Sequence, residues 1–113
     1  MGANDFLGTA NNQPLRFRVN NANRFEIATN GQLRSFNNGA ANAPTYSWTA
    51  NSNMGMYRIG TGILGFSTGG NERMRIFNDR RVSINSTTTF SSSTLYVQAP
   101  GNEDGVTANA TGS

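Results

Sequence analysis

Apolar and polar residues alternate with a period of two over much of the chain. In five segments an apolar side chain stands at every second position between arginine or other polar residues: 15–19, 24–28, 73–76, 81–85 and 94–98. Such alternation is typical of strands that bury one face, and residues 46–48 and 56–59 are further candidates. Pairs rich in Asn and Gly, which suit tight turns, stand between the segments at 20–21, 30–31, 38–39, 69–70 and 78–79. No stretch has a helical period with caps. The pattern predicts an all-β chain of many short antiparallel strands and hairpins.

The pattern also repeats along the chain. At an offset of 49 residues, several apolar positions and one arginine coincide: Leu15 with Leu64, Phe17 with Phe66, Arg24 with Arg73, Phe25 with Met74 and Ile27 with Ile76. With one residue deleted from the second copy, Ser35 falls on Ser83 at an offset of 48. These matches predict two repeats of about 49 residues, a length typical of units that cannot bury their apolar face alone.

The repeats suggest four segments. We expect a first β repeat at 1–50, a second at 51–85, and a polar linker with a short strand at 86–98. Residues 99–113 form a tail rich in Gly and Asn, which looks like the start of a further module.

The composition raises the question of how such a chain forms a core. Leu, Ile, Val and Phe make up 21 of 113 residues, which is low for a self-sufficient globular domain. The net charge is only +3 and the chain has seven Phe, three Tyr and one Trp, which argues against disorder. Small cores are commonly completed by oligomerisation, and we therefore expect the chain to share its core with copies of itself.

Missing residue types narrow the possible chemistry. Without Cys or His there is no disulfide, thiol nucleophile, imidazole base or Cys/His zinc site. No apolar run approaches the roughly 20 residues that span a bilayer, and we expect no membrane insertion. The N-terminus lacks the features of a signal peptide, so the chain is expected to be carried on a particle or cut from a longer protein. The pI near 10.2 indicates polyanion binding only weakly, because the net charge is small, and nucleic acid is not expected as a partner.

Candidate sites for catalysis or cofactors have simpler explanations. Residues 60–65 match the letters of a dinucleotide fingerprint, but the following Phe66–Gly70 sequence cannot continue a helix, so these glycines are expected in turns or close contacts. Glu26 and Glu72 lie beside arginines, which favours ion pairs over a hydrolytic pair. The adjacent Glu103 and Asp104 could hint at a cation site, although adjacent acids are usually solvated. We expect no catalytic residue, no metal and no cofactor.

The arginines on the strands have two interpretations. Arg16, Arg18, Arg73 and Arg75 could form an anion-binding strip for acidic glycans or phosphate. The favoured alternative is that they are the solvated faces of amphipathic strands.

Aromatic residues cluster between the two repeats. Tyr46, Trp48, Tyr57 and Arg58 are candidates for contact with a glycan, since exposed aromatic rings stack on sugars. Burial of the aromatic residues in a small core is the favoured alternative, because the chain has few other large apolar groups.

The sequence from Asp5 to Asn21, DFLGTANNQPLRFRVNN, resembles a recurring module of bacteriophage tail fibres and related bacterial surface fibres. Arg73-Met74-Arg75-Ile76 and Thr94-Leu95-Tyr96-Val97 are similar to later strands of that module, so the resemblance covers about residues 5 to 98. Such modules often precede an endosialidase-type intramolecular chaperone domain, whose Ser/Lys self-cleavage residues have no match in this lysine-free chain. The resemblance implies an elongated homotrimer in which three chains share one apolar axis. Ten residues could then bury against symmetry mates: Leu15, Phe17, Phe25, Ile27, Leu64, Phe66, Met74, Ile76, Val82 and Ile84.

Three functions follow as hypotheses. The first is a structural shaft or collar of a trimeric tail fibre, which holds a receptor-binding tip at a distance and performs no catalysis. The second is a glycan-binding module of such a fibre, and the third is a bacterial adhesin or self-assembling extracellular filament. The expected partners are further copies of the chain, adjoining fibre modules and possible cell-surface glycans. The expected location is the virion or the cell exterior.

Overall fold

The computed structural model describes residue 2 and residues 4–89, 92–101 and 105–112. Within this part of the chain the secondary structure consists of strands and contains no helix, which confirms the predicted all-β class. The strands are β1 Leu15–Val19, β2 Ala22–Ile27, β3 Leu33–Ser35, β4 Tyr46–Trp48, β5 Asn51–Gly60, β6 Ile63–Thr68, β7 Asn71–Ile76, β8 Val82–Ile84 and β9 Leu95–Val97. The chain divides into two compact units, Met1–Asn37 and Asn38–Ser113.

The first unit contains an antiparallel meander with the strand order β1-β2-β3. Asn20 and Asn21 connect β1 to β2 with φ angles of 50° and 58°. Two consecutive residues with positive φ are the requirement of the hairpin turn that matches the twist of a sheet, and Asn tolerates this conformation well. The predicted turn at residues 20–21 therefore has a direct backbone explanation.

The second unit contains a six-stranded sheet in the order β4-β5-β6-β7-β8-β9. All its neighbouring strands are antiparallel except β8 and β9, which are parallel and pair Val82 with Leu95 and Ile84 with Val97. The predicted antiparallel pairing therefore holds for the other neighbouring strands but not for this pair. Parallel strands need a longer connection than a tight turn, and residues 85–94 separate β8 from β9.

The first compact unit ends earlier in the chain than the first predicted segment, 1–50. β4 pairs with β5, so residues 46–48 belong to the same sheet as residues 51–60. Compactness divides the chain after Asn37 rather than after residue 50. β9 lies within residues 86–98, and the described residues of the tail after residue 98 form no strand.

The two meanders β1-β2-β3 and β6-β7-β8 pair with the same register at a constant offset of 49 residues. Leu15 pairs with Ile27 as Leu64 pairs with Ile76, and both first hairpins shift register at the same place, after Phe17 and after Phe66. The agreement continues in the third strands, where Leu33 pairs with Ile27 as Val82 pairs with Ile76. The expected one-residue deletion is therefore wrong, and Ser35 corresponds in register to Ile84, not to Ser83.

Few side chains are buried within either unit. Among the described hydrophobic residues, Ala28 and Tyr57 are the buried ones, each with 6% of its surface exposed. Most apolar strand residues are half-buried or exposed, because each sheet has one face that the other described elements of its own unit do not cover fully.

Candidate functional site

One face of the six-stranded sheet is lined by apolar side chains from every strand. Residues paired directly across neighbouring strands lie on the same face of a sheet. The register therefore links one residue of each strand into a continuous row across the sheet: Tyr46, Met56, Phe66, Met74, Ile84 and Val97. Every member of this row is half-buried or exposed.

A second row runs beside the first on the same face. It consists of Arg58, Leu64, Ile76, Val82 and Leu95, which are paired across β5 to β9. Leu95 exposes 59% of its surface and Leu64 36%. Arg58 is the charged member of these two rows, and its guanidinium bonds to Asn38 Oδ1 at 3.2 Å and to Thr61 Oγ1 at 3.3 Å. We call the surface formed by the two rows the apolar face of the second unit.

The opposite face of this sheet carries polar and small residues. Tyr57, Gly65, Arg75, Ser83 and Tyr96 are paired across the strands here. Ser83 is fully buried, and its hydroxyl donates a hydrogen bond to Ser86 O at 2.6 Å, just after β8. The sheet thus buries its polar face better than its apolar face, which is the reverse of a self-sufficient domain.

An ion pair stabilises the polar face. Glu72 accepts hydrogen bonds from the Arg75 guanidinium, with Nη2 and Oε2 2.7 Å apart, and from the Tyr57 hydroxyl at 3.3 Å. Burial and the neighbouring Glu72 carboxylate raise the pKa of Tyr57. The pKa of Arg75 is raised chiefly by its hydrogen bonds to Glu72, so Arg75 stays charged and Tyr57 stays neutral at neutral pH.

The three-stranded sheet has the same division between its faces. Its apolar face consists of Leu15, Phe17, Phe25, Ile27 and Leu33. Phe17 exposes 43% of its surface and Leu33 58%. All ten residues expected to bury against symmetry mates therefore lie on the apolar faces of the two sheets and retain surface that a neighbour could cover.

The other face of the three-stranded sheet is centred on Glu26. Its side chain is well buried and accepts from Arg16 Nε at 3.2 Å and from Arg34 Nη2 at 2.5 Å. These hydrogen bonds, that from Arg16 foremost, lower the pKa of Glu26 although burial opposes the shift. Glu26 is therefore a structural ion-pair partner, as its position beside arginines predicted.

A groove indents the apolar face of the second unit at its β4 edge. It has a volume of about 440 Å³ and is lined by Tyr46, Trp48, Met54, Gly55, Met56, Phe66, Ser67 and Thr68. Trp48 exposes 61% of its surface and Tyr46 38%. Met54 is a lining residue that the sequence analysis does not identify, because the predicted strand begins at residue 56 whereas β5 begins at Asn51.

The four residues expected to contact a glycan do not form one surface. Tyr46 and Trp48 both line the groove, whereas Tyr57 lies buried on the opposite face of the sheet. Adjacent residues of a strand face opposite sides, which separates Tyr57 from Met56 and Arg58. Arg58 lies on the apolar face but does not line the groove. A sugar site could thus include Tyr46 and Trp48 but not Tyr57.

The described residues offer no group of three or more Asp, Glu, His or Cys side chains suited to a metal ion. Glu103 and Asp104, the candidate cation site, lie outside the described residues. Gly62 has a φ of 71° in the turn between β5 and β6, so this glycine of the fingerprint-like segment serves a turn, as expected. No helix in the described part of the chain is long and apolar enough to cross a membrane.

Two apolar faces and one aromatic groove are therefore the surfaces of the described residues that are best suited to bind a partner. Their residues are uncharged apart from Arg58, and the large apolar ones are incompletely covered. Comparison of the chain with protein-family models, with curated proteins and with solved structures finds no match.

Proposed function

We propose that the chain is a structural segment, a shaft or collar, of a homotrimeric tail fibre or fibre-like appendage that positions a receptor-binding tip. The observation that carries this proposal is the incomplete cover of the apolar face on both sheets. Each sheet has buried polar residues on one side and half-exposed Phe, Leu, Ile, Met and Val on the other. Such faces fit a chain that buries them against copies of itself.

The free energy gained by burying apolar surface supports association of the chains. Burial of apolar surface contributes about 25 cal/mol per Å² removed from water, and the chain leaves most of its large apolar side chains only partly covered. A contact through the apolar faces would place ten side chains in a shared core: Leu15, Phe17, Phe25, Ile27, Leu64, Phe66, Met74, Ile76, Val82 and Ile84. The number three follows from the resemblance to trimeric fibre modules rather than from the geometry of one chain.

The proposal includes the two repeats. The constant offset of 49 residues between the meanders supports one unit used twice, as in extended modular proteins. In this role the segment performs no catalysis, lies on a virion or outside a cell, and contacts adjoining modules at its ends. A bacterial adhesin or self-assembling extracellular filament would use the same strands and the same faces.

The stoichiometry of the purified chain tests this function. We expect sedimentation equilibrium to give three times the chain mass of 12.1 kDa over a wide range of protein concentrations. A single species with the mass of one chain at the highest concentration would remove the basis of the trimer. Long, concentration-dependent filaments would favour the filament alternative.

The groove supports a glycan-binding module as a second candidate. Tyr46 and Trp48 present aromatic surface beside Met54 and Met56, and aromatic rings of this kind stack on the apolar faces of sugars. The groove has few polar side chains to orient hydroxyl groups, which is why this candidate ranks second.

Glycan binding can be tested with Trp48→Ala. Trp48 is largely exposed, so its removal should leave the fold intact and reduce binding to a glycan array at least about tenfold if the ring stacks on sugar. Phe36→Ala, which removes an exposed aromatic ring of the first unit, is the matched control. Equal signals from Trp48→Ala and the unchanged chain would exclude the groove as the sugar site.

A further inference from the structure

β1 and β6 occupy equivalent positions in the two units, and the outer edge of β6 is paired with a further strand, β5. We propose that the outer edge of β1 is a docking site for an antiparallel strand of the β5 type, supplied by another module of the same kind. The proposal goes beyond the fibre function, since it depends on strand pairing and not on how many copies associate.

The counterpart of β1 is β6. The two strands pair with their inner neighbours in the same register, at an offset of 49 residues. On its outer edge β6 pairs with β5, from Gly55 opposite Ser67 to Gly60 opposite Ile63. Among the described residues, no strand pairs with the outer edge of β1. The second unit therefore shows which strand the missing neighbour of β1 would resemble.

Backbone hydrogen bonds fix the direction in which the β1 edge points. Arg24 O accepts from Phe36 N, and Ala28 N donates to Gln32 O, so these even-numbered residues of the second strand face β3. Phe25 and Ile27 must then face β1, and their partners Phe17 and Leu15 face back toward them. The N–H and C=O of Arg16, which lies between, are left for an outer neighbour. In the second unit Gly65 occupies this place and pairs with Tyr57 of β5.

Side chains favour a β5-type strand over a second copy of β1. By the register of β5 on β6, the incoming strand would place Met56 beside Phe17, an apolar residue that exposes 43% of its surface. It would place the uncharged Tyr57 beside Arg16, and the Tyr57 ring would there take a different rotamer from the one that lies over Gly65 in the second unit. Two β1 strands paired antiparallel about Phe17 would instead set Arg16 opposite Arg18 of the other copy, and like charges directly opposite each other are destabilising. Arginines on an edge strand generally discourage such self-pairing.

A synthetic peptide with the sequence of residues 51–60 is a direct probe. We expect the labelled peptide to bind the full chain saturably in fluorescence anisotropy. In β5 the N–H of Arg58 points away from β6, because it donates to Asn38 O at 2.8 Å, and the N–H of Tyr57 points toward β6. A methyl group on the backbone nitrogen of Tyr57 should thus weaken binding at least about tenfold, whereas one on Arg58 should leave it nearly unchanged. No saturable binding, or an equal loss with both methylated peptides, would overturn the proposal.

A matched pair of chain variants locates the peptide. Arg16→Ala and Arg16→Pro both remove the ion pair with Glu26, but only proline also removes the outward N–H. We expect the peptide to bind the alanine variant at least about tenfold more tightly than the proline variant. Equal affinity would place the peptide elsewhere, at the edge of β4 or β9, and would contradict the proposal. Circular dichroism of both variants checks that the sheets are formed.

Discussion

Phe66→Asp is expected to dissociate the proposed trimer into single chains. Phe66 lies in the middle of the six-residue row that crosses the second sheet, between Met56 and Met74. A contact through this face would bury the new carboxylate without a cationic partner, which costs about 3 kcal/mol or more per chain. Because Phe66 is only half-buried in one chain, the sheet itself should tolerate the change far better than the assembly does.

Sedimentation equilibrium measures this effect, with Asn51→Asp as the control. Asn51 is exposed in the same unit, so its substitution gives the same change in net charge without placing a carboxylate on the row. We expect a trimer for the control and one chain for Phe66→Asp. A trimer in both variants would show that the chains associate through another surface.

The alternation of side chains was enough to predict which residues share a face. A strand with an apolar residue at every second position fixes its two faces whatever its neighbours are, and the ten expected interface residues accordingly lie on the apolar sides of the two sheets. The turns were equally predictable where Asn or Gly supplies a positive φ, as at Asn20, Asn21, Gly69 and Gly70.

Features that depend on contacts distant in sequence could not be predicted in this way. Tyr57 was grouped with Trp48 by proximity along the chain, but the pairing of β5 with β6 places its ring over Gly65 on the other face, where a Cβ would lie 2.9 Å from Tyr57 Cζ. The parallel pairing of β8 with β9 sets Val82 opposite Leu95, and no local pattern of residues encodes a pairing at that distance in sequence. Arg80 has a φ of 76°, a backbone conformation that is common for Gly and Asn but uncommon for Arg.

Gly55→Ala is expected to be the most damaging single methyl group in the second unit. Gly55 has a φ of 152° in the part of β5 that lies against β4. A Cβ at this position would overlap the carbonyl oxygen of Tyr46 and lie 2.8 Å from its carbonyl carbon. Both are backbone atoms, which cannot move aside as a flexible side chain does, so β4 must separate from β5. We expect a loss of about 3 kcal/mol in the free energy of unfolding.

Gly60→Ala is the matched control, because a Cβ on Gly60, in the same strand, would have no atom within 4 Å. Its effect should stay within about 1 kcal/mol. Trp48, the single tryptophan of the chain, lies on β4 and reports the separation of the two strands through its fluorescence during unfolding in urea. If the two variants unfold at the same urea concentration, the close approach of Gly55 to Tyr46 does not hold β4 in place. If Gly55→Ala shifts the Trp48 emission before urea is added and Gly60→Ala does not, β4 has separated from β5 and the groove is lost. The Gly55→Ala variant then distinguishes a function that needs the groove from one that needs only the rest of the apolar face.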